Sequence, residues 1–171
     1  MKEGLGPPFT SEPENNSHYT MIDAQLTTEI FGLFSPARPD IALQMAHLPI
    51  RTTAKYDAEW ISEFYVTMHS LASAVPDSLL IEKKLVWLAK EARKRLPDSA
   101  YSAKMYDFIY ASYRMNPDKN DWEKTRDQVY QRYQKNSTDG YSYHQPFDAG
   151  INFAASLISL FYGAGNLPRT I

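Results

Sequence analysis

Apolar residues recur every three or four positions in the N-terminal quarter of the chain, which is the spacing of one face of an α-helix. The predicted helix begins after Thr20, its expected cap, with Asp23 completing a loose capping box, and Ser35–Pro36 breaks it. Its apolar face comprises Ile22, Leu26, Ile30, Leu33 and Phe34. Such a stripe is typical of a helix that packs one face against a core.

Six further segments show helical periodicity between proline or capping signals, at residues 40–48, 57–75, 78–97, 98–113, 120–135 and 148–162. In the second helix we expect Ile41, Met45 and Leu48 to share one side and Pro49 to end the helix. The third helix has its apolar stripe at Trp60, Ile61, Phe64, Met68, Leu71 and Val75. No sustained alternation with period two occurs, so the sequence predicts an all-α, compact multi-helix domain.

The first 18 residues have a different composition from the rest. Pro7, Pro8, Pro13 and the run 15–17 (Asn-Asn-Ser) favour turns over helix. We therefore divide the chain into an irregular N-terminal arm, residues 1–18, and a helical domain, residues 19–171.

Composition excludes several classes of partner. The 18 basic and 20 acidic residues give a formal net charge of −2, too balanced to attract nucleic acid or an anionic membrane surface. No apolar run reaches the roughly 18 residues of a membrane span. There are no cysteines, which excludes disulfides and thiolate nucleophiles but leaves the compartment undecided. We expect a soluble protein, cytoplasmic or secreted, without nucleic-acid or membrane partners, and the sequence carries no signal for its oligomeric state.

The C-terminal segment 148–171 reads DAGINFAASLISLFYGAGNLPRTI. Its apolar helix begins at Asp148 as N-cap and closes on Gly163 and Gly165. Asn166 then has the position of a cap, and Pro168 that of a first helical turn. We expect a new helix to begin there and the domain to be incomplete.

Few residues carry recognisable chemistry. The four histidines include no pair three or four residues apart, so no helical metal-ligand pair exists and each is interpreted as an ordinary surface or hydrogen-bonded histidine. Glu59 and Glu63 are four residues apart, and we expect both to face water beside the apolar stripe. No nucleophile elbow, dinucleotide fingerprint or phosphate-binding loop is present.

Two amides stand out because they lie in apolar helices. An unpaired buried amide costs about 1–3 kcal/mol, so Gln25 and Asn152 must find partners. They either line a polar pocket or bond to neighbouring backbone, and the sequence leaves both interpretations open. Asp23, at a helix start, interacts favourably with the helix dipole even without another role.

Four segments together resemble the ADP-ribosylglycohydrolase-like family. They are IDAQLTTEIFG (22–32), PARPDIALQMA (36–46), EFYVTMHSLASAV (63–75) and INFAASLISLFYGAGNLPRTI (151–171). The matches keep the family's order and spacing over about residues 20–171. The resemblance implies a compact all-helical fold and a hydrolase that cleaves a glycosidic bond to ADP-ribose, or to an ADP-ribosylated substrate, with a binuclear Mg²⁺ site.

The resemblance also implies what this chain lacks. The family's metal ligands come from a Thr-Asp-Asp-type motif and an Asp-x-Asp motif, whose places fall before Met1 and after Ile171. No metal ligand therefore carries over, no cofactor is expected for this chain, and we expect it to be inactive by itself. Asp23, Gln25 and Asn152 carry over as substrate-binding candidates. Thr53 is a fourth, at a point where family members often have a histidine facing the nucleotide.

The alternative hypothesis is a non-enzymatic helical binding or scaffold protein that uses the same fold. It predicts that the 171-residue chain folds cooperatively by itself. The enzyme hypothesis instead predicts an acidic metal motif in the parent protein.

Overall fold

The computed structural model describes residues 4–143 and 145–170, and in these residues it is all-helical, as predicted, with 64% helix and no strand. Its helices are α1 Asp23–Thr27, α2 Ile30–Phe34, α3 Pro39–Ile50, α4 Asp57–Leu71, α5 Ile81–Arg93, α6 Tyr101–Met115, α7 Trp122–Val129, α8 Ala149–Gly163 and α9 Leu167–Thr170. A π-helical segment, Tyr130–Lys135, continues α7. None of the described helices combines the length and apolar character needed to cross a bilayer.

The core lies where α4, α6 and α8 meet. Phe64 on α4 packs edge-on against Phe153 on α8, with ring centroids 5.1 Å apart. Ile109 on α6 and Leu157 on α8 are also buried, so apolar side chains of all three helices reach the core. Helices α2, α3 and α5 pack against other sides of α4. Helix α4 is therefore the central element of the fold.

The single helix predicted for residues 20–34 is wrong in two respects. The chain forms α1 and α2 with a break after Thr28, whose hydroxyl donates to the carbonyl of Ala24 at 2.6 Å. Thr20 lies outside α1 and does not cap it, and its carbonyl accepts instead from the backbone N–H of Ala149 at 3.0 Å. A hydroxyl bonded back to the preceding turn competes with helix continuation.

The predicted apolar stripe of this segment faces solvent and not the core. Leu33 and Phe34 are 56% and 63% exposed, whereas Ala24 and Gly32 are buried. Gly32 explains the choice, because a Cβ there would lie 2.6 Å from the Cβ of His69 on α4. The small face lets the two helices approach closely, and the large side chains consequently point outward.

Helix α3 also buries a different face from the one predicted. Ala42, Ala46 and Ile50 form its buried face, while Met45 and Leu48 are exposed. The helix also continues through Pro49 to Ile50, because proline has a helical φ and in the final turn forfeits only one hydrogen bond.

Glu59 and Glu63 do not face water. The side chain of Glu59 is only 14% exposed, and its Oε1 lies 3.5 Å from Nη1 of Arg51. Burial raises the pKa of Glu63 to about 7, and the neighbouring charge of Glu59 adds to the rise. The N-terminal arm covers part of this side of α4, since Glu12 accepts from Arg51 at 2.6 Å. The prediction of two solvated carboxylates is therefore wrong.

The helix boundaries predicted for the C-terminal region are confirmed. Asp148 accepts a hydrogen bond from the backbone N–H of Gly150 at 3.0 Å and caps α8. The helix ends at Gly163, followed by Ala164 in the left-handed region with φ 49°. A new helix, α9, then begins at Leu167.

Candidate functional site

A cavity of about 450 Å³ opens between α4 and α8, close to the start of α2. Its volume lies in the range of small-molecule pockets. The lining residues are Glu29, Phe64, Tyr65, Met68, His69, Asn152, Ala155, Ser156, Leu157, Ser159, Leu160 and Thr170. Apolar side chains and side chains with polar groups are about equally represented, and the polar groups converge on one space.

Helical periodicity brings the polar groups together. Tyr65 and His69 are one turn apart on α4, and Asn152, Ser156 and Ser159 follow at intervals of four and three on α8. Residues at this spacing lie on one face of a helix. Two facing helices thus each present a polar row across the cavity.

The polar lining is rich in hydrogen-bond acceptors. The amide nitrogen of Asn152 donates to the carbonyls of Pro146 and Asp148, both at 2.8 Å, which leaves its Oδ1 available. Nδ1 of His69 donates to the carbonyl of Tyr65 at 2.9 Å, so Nε2 is the ring nitrogen that remains for a ligand. With the carboxylate of Glu29, these groups suit a ligand that carries several hydroxyl donors.

Tyr65 contributes a neutral hydroxyl. Burial raises the pKa of Tyr65 to about 12, the Ser156 hydroxyl opposes the rise, and the negative charge of Glu29 adds to it. The phenol therefore stays protonated at neutral pH and available as a donor. Beside it, the partly exposed side chains of Met68 and Leu160 supply apolar surface to the cavity.

Of the four predicted site residues, only Asn152 lines the cavity. Gln25 is buried and donates from Nε2 to the carbonyl of Ala149 at 3.2 Å. Asp23 is exposed in the first turn of α1. The structure brings the starts of α1 and α8 together, because Ile22 N–H donates to the carbonyl of Phe147 at 2.9 Å. Both amides thus bond to backbone, and Asn152 lines a pocket as well.

Thr53 lies in the connection between α3 and α4. Its carbonyl accepts from the amide of Asn16 in the N-terminal arm at 2.9 Å. Two residues later, the backbone N–H of Lys55 donates to the carbonyl of Tyr19 at 3.1 Å. This connection is not part of the cavity lining. A substrate-binding role for Asp23, Gln25, Thr53 and Asn152 stays a prediction.

The Mg²⁺ implied by the family resemblance has no matching ligand set in residues 4–143 and 145–170. No three Asp, Glu or His side chains there come together in a way that would hold a metal ion. His18 and His47 are exposed, and His144 lies outside the described residues. The described side chains therefore do not fit this cofactor.

Sequence reasoning missed Glu29, Tyr65, His69 and Ser156 as members of one site. Part of the signal was present, because polar residues at positions 152, 156 and 159 interrupt an apolar helix at helical spacing. Their juxtaposition with Glu29 depends on how α2 packs against α4, which periodicity does not encode.

No protein-family model, curated protein or solved structure matches this chain. The resemblance to ADP-ribosylglycohydrolase-like proteins thus rests on the four sequence segments and stays a prediction.

Proposed function

We propose that this chain forms the sugar-binding part of an ADP-ribosylglycohydrolase-like hydrolase that acts on ADP-ribose or an ADP-ribosylated substrate. One observation carries the proposal: three of the four segments that resemble the family line the same cavity. Glu29 belongs to the first segment, Tyr65 and His69 to the third, and Asn152 and Ser156 to the last. Segments far apart in sequence converge there on groups that suit a polyhydroxyl ligand.

The chemistry of the cavity favours the ribose. The 2- and 3-hydroxyls of ribose donate hydrogen bonds, which the Glu29 carboxylate and the Asn152 Oδ1 accept. The phenol of Tyr65, kept neutral by its raised pKa, donates to a ring or hydroxyl oxygen. Met68 and Leu160 supply the apolar surface against which the sugar carbons pack.

The proposal assigns binding, not bond cleavage, to this chain by itself. In the family, the Mg²⁺ ligands come from motifs that match no part of this sequence. Here the residues of the cavity orient the sugar and exclude water from its apolar side.

Isothermal titration of the purified chain with ADP-ribose tests the proposal. We expect saturable binding that weakens about tenfold in Glu29→Gln, because a charge-assisted hydrogen bond becomes a neutral one. Ser156→Ala should weaken binding less. Glu82→Gln, an exposed carboxyl on α5, is the matched control and should bind like the wild type.

Circular dichroism must show that each variant keeps its helical content. If a folded wild-type chain fails to bind ADP-ribose at millimolar concentration, the proposal is wrong, and the alternative of a non-enzymatic helical binding protein is favoured. Equal affinity in Glu29→Gln and the wild type would place the ligand elsewhere.

A further inference from the structure

A second cavity, of about 260 Å³, adjoins the first on the outer side of α8. It is lined by Trp122, Arg126, Ala155, Ile158, Ser159, Tyr162, Arg169 and Thr170. Ala155, Ser159 and Thr170 line both cavities. The two spaces therefore share a boundary formed by Ala155 and Ser159 of α8 and Thr170 of α9.

The small residues make the boundary low enough for one ligand to cross. Ala155 is exposed and Ser159 half-buried, so neither side chain forms a wall. From Asn152 to Ser159, seven helical residues span about 10 Å along the α8 axis. Ser159 lines both cavities, so a ligand whose sugar lies near Asn152 and that extends this far along α8 reaches the second cavity.

The second cavity has two guanidinium groups. Arg126 lies over the ring of Trp122, 5.1 Å from its centroid, and its side chain is 51% exposed. Its ion pair with Asp127, at 2.8 Å, is a surface pair and therefore weak. An anionic ligand competes with such a pair at little cost.

Arg169 enters the cavity from α9. Its Nη2 donates to the carbonyl of Lys119 at 3.2 Å and to Oδ1 of Asn120 at 3.0 Å, both neutral acceptors. These contacts hold the guanidinium in place without balancing its charge. An oriented cation beside a pocket is a common phosphate-binding arrangement, because the guanidinium fork matches two phosphate oxygens.

Trp122 adds an aromatic surface at the open side of the cavity. Trp122 is 43% exposed, a large fraction for a tryptophan, and Arg126 packs against its ring. Planar bases stack on exposed aromatic rings with an energy of about 1–3 kcal/mol per base in nucleic-acid-binding proteins.

We infer that this second cavity is an anion subsite, in which Arg126 and Arg169 bind the diphosphate of a nucleoside diphosphate sugar and Trp122 packs against its base. The terminal sugar of the same ligand occupies the first cavity, so this inference rests on the proposed function. Ribose, diphosphate and nucleobase then follow one another from Glu29, across the α8 face, to α7.

Two single variants test the subsite by titration with ADP-ribose and with inorganic pyrophosphate. We expect Arg126→Gln and Arg169→Gln each to weaken both ligands about tenfold, through loss of a charge-assisted contact to phosphate. Lys83→Gln, which removes an exposed cation on α5, is the matched control and should change either affinity less than twofold. Trp122→Ala should weaken ADP-ribose but leave pyrophosphate unchanged.

A neutral probe separates this inference from the proposed function. Methyl ribofuranoside, followed by NMR shifts, should bind equally to the wild type and the arginine variants but more weakly to Glu29→Gln. Raising salt from 50 to 300 mM should weaken ADP-ribose and pyrophosphate only, because screening acts on charge.

The outcomes are distinct. ADP-ribose affinity within twofold of wild type in both arginine variants overturns the anion subsite, even if Glu29→Gln weakens binding. Arginine-dependent pyrophosphate binding without any ribofuranoside binding supports the subsite and contradicts the proposed function. A folded chain that binds none of the three probes overturns both.

Discussion

The α1–α2 pair and α4 contact each other, but they divide their residues between interior and surface in opposite ways. In α1–α2 the large apolar residues Leu33 and Phe34 face solvent. In α4 the apolar Phe64 is buried, and the carboxyl of Glu59 is largely enclosed as well. The longer helix thus holds charge inside, while the shorter pair leaves hydrophobic surface outside.

The difference shows that neighbouring elements, not periodicity alone, decide which face of a helix is buried. At Gly32 the backbone of α2 lies directly against the backbone of α4. Only a face of small residues fits there. On its other side, α4 meets Arg51, whose guanidinium makes burial of Glu59 possible.

The largest effect is expected for Phe64→Ala. Removing this buried ring leaves a cavity in the contact with Phe153 and should lower the free energy of unfolding by about 3–5 kcal/mol. Phe34→Ala deletes the same ring at an exposed position and should change stability by less than about 0.5 kcal/mol. Urea unfolding measures both, and equal losses would contradict the comparison.

Gly32→Ala tests the close approach of α2 and α4. The added methyl group would lie 2.9 Å from the backbone nitrogen of Ser70 and would also meet the carbonyl oxygen of Val66, and neither atom can move without shifting α4. We expect a loss of about 2–3 kcal/mol. In Gly6→Ala the new methyl group has open space, and thermal unfolding should show almost no change. An equally stable Gly32→Ala would mean that the helices can separate freely.

The enclosed carboxyl of Glu63 predicts a pH dependence. Because its pKa rises from 4.5 to about 7 on folding, the folded chain binds a proton that the unfolded chain releases between these values. This contribution to stability is complete below pH 4.5 and is lost as the pH rises through 7, a change of about 3 kcal/mol.

Chemical denaturation of Glu63→Gln between pH 5 and pH 8 measures this contribution. The variant should lose less stability than the wild type over this range, because glutamine does not ionise. The exposed Glu82→Gln should follow the wild type. Parallel curves for all three proteins would show that Glu63 titrates normally.

The smallest effect is expected for Leu33→Ser. Its side chain is exposed, so the substitution should change the free energy of unfolding by less than about 0.5 kcal/mol and should reduce self-association at high concentration. Leu157→Ser, at a buried position of α8, should instead destabilise by several kcal/mol. Light scattering and urea unfolding distinguish the two variants. A large loss of stability in Leu33→Ser would mean that Leu33 faces the core, as the sequence predicted.

Local signals in the sequence predicted part of this fold well. Asp148 caps α8 through the backbone N–H two residues later, as its position indicated, and Asp121 caps α7 through the N–H of Lys124. These interactions lie within one turn, so the sequence encodes them directly. The buried positions Ile61 and Phe64 of α4 were also predicted correctly.

Features that depend on distant partners escaped prediction. The inward face of α2 depends on its contact with His69 and Ser70 of α4, and the burial of Glu59 depends on Arg51. The cavity itself combines Glu29 with Asn152, more than a hundred residues later. The periodicity of a single sequence does not show which distant residues come together.

The pairing between the start of α1 and the start of α8 has a consequence for synthesis of the chain. Gln25 donates to the carbonyl of Ala149, 124 residues later, and Met21 forms a short antiparallel bridge with Asp148. During translation, α1 leaves the ribosome long before its partner exists. Its docking against α8 is therefore a late event in folding, and a nascent chain that stalls before residue 148 has only the contacts of α1 with earlier helices such as α4.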